Sequence, residues 1–151
     1  MKWITRERPK TDRIACPWLI RRFIDPGAEF LFVGRDQVLS VAAEVGGRSF
    51  DADGADFSHS YHDGRERCTF ETLIDAFNLA ENKALVRLAR IVHAADVSHD
   101  LDSDPAGAGL LAIGVGGLDV ESDDHLLLQH GLFVYDALYA WCQRDVEATS
   151  E

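Results

Sequence analysis

The sequence predicts a helix-rich α+β fold, a single domain with about five or six helices and a small sheet of short strands. Three observations carry that prediction. Stretches with helical apolar period fill much of the second half, the clearest being Leu85–Ser98. Short apolar runs bounded by turn residues, such as Glu29–Val33, read as strands. The 151 residues, 46% hydrophobic and 27% charged, fit one domain able to bury a core without staples.

In chain order, Lys2–Thr5 reads as a short strand. Pro17 suits the first position of a helix, so Pro17–Ile24 is expected helical, with Thr11–Ala15 a preceding turn or loop. Pro26-Gly27 ends that element. Glu29–Val33 is a buried strand and Asp36–Val45 a helix closed by Gly46-Gly47. Ser49–Asp51 offers a second short strand, and Asp51–Arg67 a long polar loop holding His59 and His62. Thr69 is placed to cap a helix over Phe70–Phe77, with Glu71 in its first turn. Ser103 or Asp104 caps a helix from Pro105 that five glycines should weaken or break. Ser122 caps the last helix, Asp123–Cys142, where Gly131 would admit a close neighbour. The whole of 1–151 reads as one domain, with 145–151 a frayed acidic tail.

Composition excludes several functions. A net charge of −11 argues against direct nucleic acid binding, which needs a basic surface. That charge is uneven: residues 1–35 carry +4 and the remaining 116 carry −15, so a small anion is drawn to the N-terminal segment. The longest uncharged apolar run, Pro105–Leu118, falls short of the roughly 18 residues that span a bilayer. The N-terminus has no apolar signal-peptide core. Three scattered cysteines, Cys16, Cys68 and Cys142, suggest a reducing, cytoplasmic setting.

Chemistry shows first on Leu85–Ser98. Projected at about 100° per residue, Leu85, Leu88, Ala89, Val92 and Ala95 share one side. Asp96 falls in the middle of that stripe, with His93 on its flank one turn earlier. A carboxylate on a core-facing stripe must be paired, hydrogen-bonded or bound to metal. Carboxylate plus imidazole suits Zn, Mn or Fe, and further ligands could come from His59, His62, Cys68, Glu71, Asp124 or His125. The competing reading is a salt bridge from Asp96 to Arg21 or Arg22. Asp51–His62 fails as a calcium loop, because its glycine is misplaced and its twelfth position is histidine. Gly114–Gly117 has the wrong spacing for a dinucleotide fingerprint. In the basic segment, clustered arginines suit a tetrahedral oxyanion. Cys16 there is either an activated thiol or a small buried hydrophobe.

Several blocks of the chain resemble the chromate-resistance proteins of the ChrB type. They are RPKTDRIACPWLIRRFID (Arg8–Asp25), EFLFV (Glu29–Val33), FSH (Phe57–His59), CTFE (Cys68–Glu71), IVHAAD (Ile91–Asp96) and VYDALYAW (Val134–Trp141). The likeness runs from about residue 2 to 143 and is similar to a stand-alone form of the family's C-terminal domain. It implies a role in bacterial chromate resistance, linked in that family to chromate-responsive regulation of efflux. It also narrows the candidates, because His59, Glu71, His93 and Asp96 lie inside the blocks, and so do Arg13, Cys16, Arg21 and Arg22. Asp124 stays as a further candidate ligand.

The expected function is therefore a metal-binding protein that handles a small oxyanion, chromate or similar. The metal would sit at His59, Glu71, His93 and Asp96, and the oxyanion between it and Arg13, Arg21 and Arg22. Cys16 is the candidate source of reducing equivalents. One alternative is a non-catalytic chromate- or metal-responsive module. Another is a structural domain with an internal Asp/His/Arg ion-pair network. A homodimer is compatible with all three, and no membrane partner is expected.

Overall fold

Strand β1 (Lys2–Arg6) lies at the centre of a three-stranded parallel sheet, between β2 (Glu29–Val33) and β3 (Arg48–Ser49). The computed structural model describes residues 1–150. Trp3 stands opposite Phe30 and Arg48, and Ile4 opposite Leu31 and Ser49. Parallel neighbours need crossovers, and the chain supplies two helices. Helix α1 (Asp12–Leu19), continued by a π-turn over Ile20–Ile24, links β1 to β2, and α2 (Val38–Val45) links β2 to β3. Trp3, Ile4 and Thr5 are all buried, so β1 is covered on both faces. Ile4 packs with Val38 and Ala42 on one side, while Trp3 and Phe30 join the main core on the other.

Helix α1 departs from expectation by starting five residues before Pro17. The proline sits inside the helix, where its missing N–H would normally break the ladder. Burial overrides that local cost, since every residue from Ile14 to Leu19 is in the core.

The expected loop over 51–67 holds a hairpin, β4 (Ser60–His62) with β5 (Arg65–Arg67). Its turn is Asp63-Gly64, both at positive φ (52° and 76°), the Asp-Gly chemistry that two-residue hairpins favour. Helix α3 (Thr69–Ala76) follows, with Cys68 rather than Thr69 at the N-cap, and then α4 (Lys83–Asp96), capped by Asn82.

A 3₁₀ segment, Ser98–Ser103, leads to α5 (Gly107–Val120). Contrary to expectation α5 is unbroken: two of its glycines serve packing, a Cβ at Gly107 lying 2.6 Å from Ala94 on α4 and one at Gly114 lying 3.1 Å from Thr11. Helix α6 (Asp124–Thr149) is capped by Asp123, one residue after the expected Ser122. A Cβ at Gly131 would overlap Ile14 of α1, so the anticipated close neighbour is α1. The expected frayed tail continues α6 through Thr149, with Asp145 bound by Arg87, and Glu151 lies outside the described residues. Helix α4 is the hub, packing against α1, α3, α5 and α6. Among the described residues no helix is long and apolar enough to cross a membrane.

Candidate metal centre

The polar anomaly of the sequence becomes a seam where α1, α3 and α4 meet the hairpin. Asp12 opens α1 and is completely buried. Its carboxylate accepts the backbone N–H of Thr69 (2.7 Å) and Phe70 (3.1 Å), capping α3 from another helix. The Cys16 thiol also donates to it, at 3.3 Å. Burial, followed by the charges of Asp96 and Asp51, pushes the Asp12 pKa well above the ordinary carboxylate range.

His59 reaches this group from the segment before β4. Its Nε2 lies 2.9 Å from Asp96 Oδ2, 3.6 Å from Asp51 Oδ1 and 3.7 Å from Asp12 Oδ2. Its Nδ1 is 3.0 Å from Glu66 on β5. The hydrogen bond to Asp96 outweighs partial burial and, helped by Asp12 and Glu66, raises the His59 pKa to about 9. Asp51 is held in turn by Arg6 (3.8 Å), Arg13 (3.6 Å) and the Thr69 hydroxyl (2.8 Å). Four carboxylates thus face two guanidinium groups and one imidazole. With His59 neutral and Asp12 ionised, the forms that ligation requires, the seam would carry two negative charges in excess, which a divalent cation would balance. One nitrogen, Nε2, points at the carboxylates while the other is fixed by Glu66, the orientation a metal-ligating histidine usually has.

Glu71 and His93 form a second group one helical turn away. Glu71 Oε1 accepts the Cys68 N–H at 3.0 Å, closing the N-terminus of α3, and hydrogen-bonds His93 Nδ1. His93 Nε2 lies 2.7 Å from Asp100. Partial burial opposes the charged ring of His93, but hydrogen bonds to Asp100 and Glu71 prevail and raise its pKa. Ligand-type atoms of Cys68, Glu71 and His93 lie within 4.8 Å of one another, and so do those of Asp12, His59 and Asp96.

The four residues singled out by sequence therefore divide between two adjacent clusters, His59 with Asp96 and Glu71 with His93. Asp124 joins neither. It receives the Arg8 backbone N–H (3.0 Å) and guanidinium (3.0 Å), while Arg8 also donates to the carbonyls of Leu118, Glu121 and Ser122. Its role is to tie the α5–α6 turn to the segment after β1.

The expected arginine cluster disperses. Arg13 stays at the seam through Asp51. Arg21, two turns further on, donates to the Ala28 carbonyl (3.1 Å) and covers the Phe30 ring. Arg22 pairs with Asp136 of α6 at 2.9 Å. Neither is the Asp96 partner that the salt-bridge reading required. Cys16 is wholly buried, and burial with the charge of Asp12 pushes its thiol pKa up rather than down. That is the environment of a small core residue, not of an activated nucleophile.

Sequence reasoning missed Asp12, Asp51 and Glu66. Asp12 shares the buried stripe of Ala15, Cys16 and Leu19, an anomaly like that of Asp96, but only if α1 begins at residue 12. Starting the helix at Pro17 hid it.

Fold and side chains together define a small α+β domain with a carboxylate–imidazole seam between its sheet-side helices and a hairpin. The profile of the family described as ChrB, C-terminal domain, matches residues 3–142, and this chain belongs to that family. It is 38% identical over 138 residues to Protein ChrB of Cupriavidus metallidurans. That alignment takes in 91% of this chain and 40% of the relative, so the chain spans less than half of that protein. No solved structure matches the chain significantly.

Proposed function

We propose that the chain is a metal-binding domain of bacterial chromate resistance that handles a small oxyanion, chromate or similar, beside a divalent transition metal. The chromate link rests on membership of the ChrB C-terminal domain family. The observation that carries the metal is the convergence of Asp12, His59 and Asp96, with His59 Nδ1 anchored by Glu66. Three oxygen and nitrogen ligands leave a coordination position open, as in sites where the metal polarises a bound group, and they suit Zn, Mn or Fe. Of the four ligands expected from sequence, His59 and Asp96 belong to this set, and Asp12 completes it. A pocket of about 280 Å³ lined by Arg6, Arg35, Asp51, Ser58 and His59 gives an anion access to it. Arg6 and Arg13, rather than Arg21 and Arg22, are the guanidinium groups at hand there.

The test is elemental analysis of purified protein beside the His59→Ala/Asp96→Ala double variant. The variant is expected to lose one equivalent of divalent metal, and unchanged metal content would overturn the reading.

The second reading is a chromate- or metal-responsive module without turnover. It is favoured by the match to only part of a longer relative, the arrangement of a domain that acts on its neighbours. Time-resolved chromate absorbance with substoichiometric protein and excess thiol reductant separates the two. Many chromate ions consumed per chain define an enzyme, and one saturable spectral change per chain defines a sensor.

A further inference from the structure

The seam leaves a second set of ligand-type side chains unused. Cys68 is the N-cap of α3, Glu71 lies three residues on, and His93 faces both from α4. We infer that Cys68, Glu71 and His93 form a second, thiolate-containing metal site that takes a borderline divalent cation such as Zn²⁺. This goes beyond the oxygen-rich site at Asp12, His59 and Asp96, and does not depend on it.

Three features point to a ligand set rather than a packing accident. The donor atoms lie within 4.8 Å of one another, so small side-chain adjustments would bring all three onto one ion with bonds of about 2.0–2.3 Å. His93 shares the arrangement of His59 with the ring nitrogens exchanged: Nδ1 turns to the cluster, and Nε2 is held by a carboxylate, Asp100, at 2.7 Å. The Cys68 thiol is fully buried, and its place at the N-cap, where the sulfur faces the Glu71 backbone N–H, holds it beside the other two donors.

Metal binding would displace two protons to solvent, the thiol proton of Cys68 and the one shared by Glu71 and His93. Metal then replaces the proton between imidazole and carboxylate, with the sulfur as third donor. Cys68 approaches from the protein side. Glu71 and His93 open on a cleft of about 980 Å³ whose other walls carry Arg65, Arg90 and His99. Asp63, Glu66 and Asp100 line the same cleft, so the open coordination position faces mixed charge, with Arg65 and Arg90 as guanidinium groups free of salt bridges among the described residues.

The experiment is titration of the chelator-treated, reduced full chain with Co²⁺, read by absorbance and bound stoichiometry. Expected are two equivalents bound and a near-ultraviolet thiolate-to-cobalt charge-transfer band. Cys68→Ser should abolish the band and one equivalent, and serine, itself a good N-cap, keeps α3 intact. His93→Gln should do the same, which guards against an effect peculiar to the cap. Asp96→Asn should remove the other equivalent and leave the band. A wild-type chain without the band, or a band that survives Cys68→Ser, overturns the inference. A bandless equivalent lost in Asp96→Asn would leave only the oxygen-rich site standing. A band with a single equivalent indifferent to Asp96→Asn would leave only this one.

Discussion

Asp12 and Asp104 are both buried almost completely, and the two regions around them neutralise the burden in opposite ways. Asp104 opens the turn before α5, where one oxygen accepts the Ala106 N–H and the other meets Arg87 at 2.8 Å. Arg87 spans on to Asp145 of α6 and stacks over Trp141, so the counter-charge of Asp104 is fixed in place within the fold. Asp12 has backbone N–H groups and a thiol, but no arginine or lysine within salt-bridge range among the described residues. Its nearest cationic group is His59 at 3.7 Å, already engaged by Asp96 and Glu66. A self-sufficient pair holds helices together. A buried carboxylate whose nearest counter-charge is an imidazole shared with two other carboxylates is a group that an exchangeable cation would serve.

The largest expected effect lies on the structural side. Arg87→Met leaves Asp104 buried without its partner, and removing one member of a buried pair costs about 3–5 kcal/mol. Chemical denaturation should show that loss, while the metal content of the folded fraction stays at the wild-type level. On the other side, Asp12→Ala strands the Thr69 and Phe70 N–H groups, each of the kind that costs about 1–3 kcal/mol when orphaned. Thermal melts with and without added Zn²⁺ check the distinction. Metal should raise the melting temperature of wild type and of Arg87→Met, but the rise should shrink in Asp12→Ala.

A smaller effect tests the titrating partner. His59 is raised from about 6.5 unfolded to about 9 folded, so its charged contacts stabilise the metal-free chain fully below pH 6.5. That contribution fades as pH rises through 9, and His59→Gln should flatten the decline in denaturation midpoints across the window. Metal reverses the sign, because ligation needs neutral His59, and the metal-induced gain should grow over the same range. The smallest effect belongs to Arg22→Ala. Its pair with Asp136 is about half exposed, so the loss should stay below about 1 kcal/mol with metal content unchanged.

Much of the helical framework could be read from local pattern. Glu29–Val33 has the boundaries expected of it, and the central helix was legible because Leu85, Leu88 and Val92 recur at helical spacing. Where reading failed, tertiary packing had overruled a local rule. Pro17 marks a helix start by propensity, yet it lies mid-helix because its neighbours are buried. The glycines of α5 signal weakness by propensity, yet the helix is unbroken, and Gly107 allows close packing on α4. The hairpin carried its Asp-Gly turn in plain view but lacked the alternating apolar strands that would have framed it.

For the site, the sequence by itself determined which side chains were out of place. Asp96 on an apolar stripe with His93 beside it demanded a partner, and a polar segment around His59 was available to supply one. Only the tertiary structure decided that the expected four ligands fall into two clusters, that Asp12 belongs with His59 and Asp96, and that Arg21, Arg22 and Asp124 are engaged elsewhere. The physical reason is that periodicity reports which face of an element a residue shares. Which faces of α1, α3 and α4 meet, and which charges that meeting leaves unbalanced, depends on packing that no single element encodes.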